Sequence, residues 1–90
     1  MLALEDIVRA HLEHRRPDKN MARYYTVEIF PSLFGDWILS RTWGRIGTKG
    51  RERADWFTTR ACAEAAQISL LAQKRRKGYV LLPEQIELPL

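Results

Sequence analysis

The chain lacks the residues that stabilise small secreted domains or hold structural metal ions. Cys62 is its single cysteine, which excludes a disulfide framework and a thiolate zinc site. No apolar run approaches the roughly 18 residues of a membrane span, and Glu5, Asp6 and Arg9 interrupt the stretch that a secretory leader would need. We therefore expect an intracellular, cytoplasmic protein with no membrane contact.

The length of the chain limits its organisation further. Ninety residues are too few for two ordinary domains, so we expect one small domain with extensions. Hydrophobic residues make up 46% of the chain and charged residues 29%. These fractions are typical of a folded domain and not of a disordered segment.

The excess positive charge lies in the middle of the chain. The formal net charge is +4, and residues 21–79 carry eleven basic against five acidic side chains, whereas residues 1–20 are neutral and residues 80–90 are acidic. This distribution favours a polyanionic partner. The alternative is a small domain whose charged side chains are simply solvated.

The chain before the basic segment predicts a short amphipathic helix over residues 2–16, because its apolar residues recur at helical spacing. These residues are Leu4, Ile7, Val8 and Leu12. Pro17 ends the pattern. We assign residues 1–20 to a helical extension that docks on the domain, joins two chains or is dispensable.

Residues 21–79 are expected to form the folded domain, which begins with a small antiparallel sheet. Three strands are predicted: Tyr24–Phe30, Trp37–Trp43 and Arg51–Phe57. Alternation in the first strand indicates that Tyr25, Val27 and Ile29 are buried together. Glycine-rich residues 47–50 are expected to form the hairpin turn before the third strand.

A long helix is predicted to follow the strands, over Arg60–Lys77, with Thr58 or Thr59 as its N-cap and Gly78 at its end. The residues expected to contact the sheet are Ala61, Ala65, Ile68 and Ala72, with Leu71 beside them. Residues 80–90 are expected to add a last strand or a tail. The predicted fold class is α+β, with one long helix on a small antiparallel sheet and an N-terminal helical extension.

Residues 41–53 combine five cations, one acid and an indole ring. A guanidinium group matches phosphate oxygens in pairs, and an indole face covers a sugar or stacks on a base, so this mixture suits a nucleic acid strand or its end. The alternative is that Trp43 is a core residue and the arginines lie on a solvated strand face. The candidate binding residues are Trp43, Gly44, Arg45, Arg41, Lys49, Arg51 and Arg53.

The same segment resembles the WGR domain, named for the tripeptide that stands here as Trp43, Gly44 and Arg45. The likeness covers about two-thirds of the chain, from Asn20 to Tyr79. Further residues that fit the family's pattern are Tyr24, Tyr25, Val27, Ile29, Trp37, Ile38, Arg41, Ile46, Gly47, Phe57, Ala65, Lys74 and Gly78. A match spread over the whole domain is specific, whereas the tripeptide alone would be a weak signal.

This resemblance implies a small antiparallel sheet with a packed helix and a role in nucleic acid binding. In poly(ADP-ribose) polymerases the domain contacts DNA near a break, which implies here that Trp43 lies against a terminal sugar and that Arg45 holds a phosphate or a partner protein. Arg41 is expected on the same surface. The chain shows neither the zinc fingers nor the catalytic domain of those polymerases, so we expect no ADP-ribosyl transfer from it.

Other chemistry in the sequence is sparse. The predicted helix ends in a second basic cluster, formed by Lys74, Arg75, Arg76 and Lys77. These cations complement the helix dipole. If the helix end and the hairpin turn lie on the same side of the domain, the two clusters form one basic rim. His11 and His14 lack further metal ligands, so we expect a solvated surface and no metal site. Cys62 is expected between helix and sheet. No carboxylate pair or activated nucleophile is apparent, which predicts a protein without catalytic activity or cofactor.

The sequence therefore predicts a non-catalytic nucleic-acid-binding module, with DNA favoured and strand ends or breaks as the expected site. The alternative is a protein-interaction module that docks an acidic partner through the same basic face or self-associates through the N-terminal helix.

Overall fold

Alternating apolar residues along the chain build one antiparallel sheet. The structure is a computed structural model that describes residues 8–83. Its strands are β1 (Val8–Arg16), β2 (Met21–Pro31), β3 (Trp37–Arg45), β4 (Arg51–Phe57) and β5 (Val80–Leu82). They are ordered β4-β3-β2-β1-β5, and helix α1 (Arg60–Arg76) packs against the sheet. The predicted sheet with one packed helix is confirmed.

The core lies between α1 and one face of the sheet. Tyr25, Val27 and Ile29 of β2 are buried, as their alternation predicted. Leu12 of β1 and Leu39 of β3 are also buried against them. Full burial of an aliphatic side chain of this size contributes roughly 1.5–3 kcal/mol, so the central strands supply most of the stabilising contacts.

The N-terminal helix predicted over residues 2–16 is wrong wherever the structure describes it. Residues 8–16 form β1, which pairs with β2 on one side and β5 on the other. The spacing of Val8 and Leu12 fits a helix, but Val8, Ala10 and Leu12 also alternate as a strand does. Pairing in the middle of the sheet selects the strand. The rest of the predicted helix lies outside the described residues.

Helix α1 begins and ends close to where the sequence predicted. The Thr59 side chain accepts a hydrogen bond from the Cys62 backbone N–H, so Thr59 is the N-cap. Gly78 follows the helix with a φ of 105°, a conformation that glycine adopts without steric cost.

The predicted contact face of α1 is wrong except for Leu71, which is half-buried and packs against the core. Ala63 and Gln67 are the buried residues of the helix, while the residues predicted to face the sheet are exposed: Ala61, Ala65, Ile68 and Ala72. The true face is offset by two residues, which corresponds to about 200° around a helix. Cys62, predicted to be buried, is exposed for the same reason. Alanines occur all around α1, and packing of the larger Leu70 and Leu71 on the core decides its orientation.

The strand register assigns each side chain to one of two sheet faces. Directly opposed residues of antiparallel strands lie on the same face. Tyr25 faces Trp43, and Trp43 faces Arg51, so these three lie on the face that α1 partly covers, here called the helix face. The opposite side is called the open face.

Across residues 8–83, no helix has the length and apolarity to cross a membrane.

Candidate nucleic-acid interface

A groove with a volume of about 530 Å³ lies at one end of the sheet. It forms there because β2 and β3 are antiparallel, which brings the start of β2 beside the end of β3 and places Arg23 directly opposite Arg45. The C-terminal part of α1 forms another wall of the groove, through Lys74. The groove is lined by Lys19, Asn20, Met21, Ala22, Arg23, Trp43, Gly44, Arg45, Lys74 and Tyr79.

The lining of the groove is positively charged. Lys19, Arg23, Arg45 and Lys74 contribute four cations, and none of the described residues that line it is acidic. Neither Arg23 nor Arg45 forms an ion pair with a carboxylate within residues 8–83. Guanidinium groups that converge on one groove without carboxylate partners have the charge and geometry that phosphate or another anion requires.

Trp43 belongs both to the core and to the groove. Its side chain is half-buried and packs against the buried core cluster, and it also lines the groove. The two interpretations offered by the sequence, a core residue and a contact residue, are therefore compatible. Core packing holds the indole in place, and its remaining surface is available to a ligand.

The hairpin turn after the tripeptide is held by hydrogen bonds. The Tyr24 hydroxyl donates to the carbonyl oxygens of Thr48 and Lys49, at 3.1 and 2.9 Å. The Thr48 hydroxyl donates to the Arg45 carbonyl oxygen at 2.7 Å. Lys49 is exposed on this turn and does not line the groove.

The arginines of β3 and β4 lie beside the groove on the helix face. Arg51 is directly opposite Trp43, and Arg53 is directly opposite Arg41. Arg51 and Arg53 are exposed. The Arg41 side chain is only 20% exposed, and its Nη2 lies 3.5 Å from Oδ2 of Asp55. The other carboxylate oxygen of Asp55, Oδ1, lies 3.5 Å from Nε of Arg53. Asp55 thus partly neutralises both of these arginines.

Lys74 brings the second basic cluster into the groove. Its Nζ lies 4.7 Å from the ring centroid of Tyr25 and 5.4 Å from that of Tyr79, which is cation–π distance. Partial burial of its amine, followed by the nearby charges of Lys77, Arg41 and Arg23, lowers the pKa of Lys74 below 10.5. The other members of the cluster are exposed outside the groove: Arg75, Arg76 and Lys77.

Several groove residues were not singled out in the sequence as binding residues. They are Lys19, Asn20, Arg23 and Tyr79. A signal for Arg23 was available, because pairing of the first two predicted strands sets it opposite Arg45 in the antiparallel register. Tyr79 has a second partner in His14, whose ring centroid lies 5.2 Å away. This contact holds the tyrosine at the groove wall.

The two histidines of β1 lie on opposite faces of the sheet, because they are three residues apart on a strand and not on a helix. On the open face, His11 Nε2–H donates to Glu13 Oε2 at 3.1 Å, and His11 Nδ1 is hydrogen-bonded to the Thr26 hydroxyl at 2.8 Å. The hydrogen bond that His11 donates to Glu13 is the main cause of the lowered pKa of Glu13. No group of potential metal ligands is found in the described part of the chain.

Comparison with known proteins identifies the family. The sequence profile of the WGR domain matches residues 8–85. The chain is 45% identical over 78 residues to the uncharacterized protein y4dW of Sinorhizobium fredii, an alignment that covers 87% of this chain and 38% of that protein. It is 44% identical over 39 residues to protein YehF of Escherichia coli, covering 43% of this chain and 14% of the other.

A crystal structure of a protein from Bacteroides fragilis shares the fold, with a TM-score of 0.67 at 22% identity over 84% of this chain and 20% of that one. The chain therefore spans less than two-fifths of the length of each of these relatives. WGR domains are in general nucleic-acid-binding modules and not catalytic domains. The profile match covers most of the sequence, including β1, and the chain belongs to the WGR domain family.

Proposed function

We propose that this domain binds nucleic acid in the groove at the WGR tripeptide, that DNA is its ligand, and that strand ends are its preferred sites. One observation carries the proposal: four cations and an indole ring converge on a groove whose described lining contains no acid. A nucleic acid strand presents phosphates that guanidinium groups bind and rings on which an indole stacks.

The two arginines and the indole of the groove have different roles in this proposal. Arg45 and Arg23 are adjacent across β2 and β3, so their guanidinium groups contact phosphate oxygens of one strand. Trp43 presents its exposed indole surface to a terminal sugar or base. The preference for ends follows from the likeness to polymerase WGR domains and from the position of the indole at the edge of the core. The domain acts by binding and not by catalysis.

Salt dependence measures the electrostatic part of this binding. If the four groove cations each neutralise one phosphate, the logarithm of the association constant falls with the logarithm of salt concentration at a slope of about −3 to −4. Binding that does not change with salt concentration would rule out the groove as a phosphate site.

The test is fluorescence anisotropy of a labelled open-ended duplex, competed by the same duplex with both ends closed by hairpins. An unlabelled open-ended duplex should compete better than the closed duplex. Trp43→Ala should remove the difference between the two competitors. Arg45→Ala should lower affinity about five- to tenfold, as expected for one lost phosphate contact. Arg9→Ala removes the same charge from the open face, where Arg9 is exposed, and should change affinity far less.

The other outcomes distinguish the alternatives. Equal competition by open and closed duplexes, with the salt slope retained, indicates a general electrostatic binder. Absence of binding at low salt contradicts the proposal and favours a protein-interaction module that docks an acidic partner on the same groove. Self-association through an N-terminal helix is not an option for residues 8–16, because they are paired within the sheet.

A further inference from the structure

An apolar row crosses the open face at the end of the sheet remote from the groove. Phe30 of β2 lies directly opposite Ile38 of β3, and Ile38 lies directly opposite Trp56 of β4. Phe30 and Ile38 are half-buried, whereas Trp56 is 61% exposed. No described element covers this row, since α1 packs on the other face.

The loop between β2 and β3 adds exposed apolar side chains at the same end of the sheet. Leu33 and Phe34 at its tip are 98% and 90% exposed. The loop is held by hydrogen bonds, because the Ser32 N–H donates to the Asp36 carbonyl oxygen at 2.8 Å and the Ser32 hydroxyl accepts from the N–H groups of Phe34 and Asp36. A structured loop therefore presents two adjacent apolar side chains to solvent.

We propose that this apolar patch, formed by Phe30, Leu33, Phe34, Ile38 and Trp56, joins two copies of the domain in a two-fold symmetric dimer. Exposed apolar side chains gathered at one end of a sheet mark an interaction site. The proposal does not depend on nucleic acid binding, since Ile38 is six residues from Gly44 along β3, or about 20 Å from the groove.

The area of the patch matches what a dimer requires. From the typical sizes of these side chains, the exposed parts of Trp56, Phe34 and Leu33 amount to about 450 Å². A stable interface buries about 800 Å² on each partner, and about 65% of a homodimer interface is apolar, or roughly 520 Å². The half-buried Phe30 and Ile38 supply the remainder, so two copies of this patch suffice without any other apolar surface.

The charges around the patch favour a second copy as the occupant. The next row of the open face contains Arg9 and Glu28, whose charged atoms lie 3.9 Å apart within one copy. In a two-fold interface each contact occurs twice, so Arg9 of one copy can meet Glu28 of the other and the reverse. Within residues 8–83, the arginines of this face are paired with carboxylates, Arg9 with Glu28 and Arg15 with Glu13, so they do not form a cation cluster for a nucleic acid.

The test is sedimentation velocity over a wide concentration series of the full chain. The mass should rise from 10.5 kDa towards twice that value. Trp56→Ser and Leu33→Ser should each keep the protein monomeric over the same range. Ile68→Ser removes an apolar residue that is 68% exposed on α1, away from the patch, and should leave the dimer intact.

Folding and dimerisation are separated by circular dichroism, which should be unchanged in Leu33→Ser because that side chain has almost no contacts to lose. A mass of 10.5 kDa at every concentration would overturn the proposal. A dimer that survives both patch substitutions, or one that Ile68→Ser disrupts, would also overturn it, because another surface would then form the contact.

Discussion

Gly44 and Gly50 are so close that a methyl group on Gly44 would lie 2.8 Å from the Cα atom of Gly50. Gly50 itself has a φ of 71°, and a methyl group there would meet the Trp43 carbonyl oxygen and the Tyr24 hydroxyl. The central glycine of the WGR tripeptide therefore lets the hairpin turn pack against β3. Gly44 therefore packs within the fold and also lines the groove, between Trp43 and Arg45.

Gly44→Ala should destabilise the protein by about 1–3 kcal/mol, because the new methyl group meets backbone and one of the two segments must move. The measurement is urea unfolding followed by circular dichroism. Thr42→Ala, two residues earlier on the same strand and face, is the matched control and should cost less than about 1 kcal/mol. Equal stability of Gly44→Ala and the wild type would contradict the close contact.

Asp55→Asn should strengthen nucleic acid binding, because Asp55 is the carboxylate that partly neutralises Arg41 and Arg53 on the helix face. Losing one negative charge there resembles gaining one phosphate contact, so the salt slope should steepen by up to about 0.9. Anisotropy titrations at several salt concentrations measure it. Glu28→Gln changes the net charge equally on the open face, and an equal gain from that variant would show that binding does not distinguish the faces.

Thr59→Ala should lower the free energy of unfolding by about 0.5–2 kcal/mol, because it removes the side-chain acceptor of the Cys62 N–H at the start of α1. Thermal unfolding followed by circular dichroism gives the difference. Thr58→Ala changes the neighbouring exposed threonine and should be close to neutral. If Thr58→Ala were the more damaging change, the cap would lie one residue earlier.

Titration of the Lys74 amine should make the free energy of unfolding rise with pH in the alkaline range. Its folded pKa lies below 10.5, mainly because burial disfavours the charged amine. Between that lowered pKa and 10.5 the unfolded chain binds more protons than the folded one, so raising the pH through this window favours folding. Below the window both states are protonated and the cost of burying the charge is fully present.

Lys74→Arg separates this effect from the titration of other groups, since arginine stays charged throughout that range. Urea unfolding of both proteins at a series of alkaline pH values should show wild-type stability increasing relative to Lys74→Arg. Parallel pH profiles for the two proteins would mean that the amine is solvated like an ordinary lysine.

Local sequence signals predicted much of this fold. Alternation predicted that Tyr25, Val27 and Ile29 are buried, which is confirmed. Glycines at 47 and 50 marked the hairpin turn, and Thr59 was one of two predicted N-caps. These features depend on residues close together in the chain, and their backbone preferences hold before any long-range contact forms.

The sequence by itself determined the family, the central strands, the turn and the position of the helix. Only the tertiary structure decided that residues 8–16 are a strand. The spacing of Val8 and Leu12 fits the period of a helix and that of a strand, and pairing with β2 and β5 selects the strand. It also decided which face of α1 is buried. The groove joins Lys19, Arg23, Arg45 and Lys74 from four separate segments, and local patterning carries no information about which of these segments meet in space.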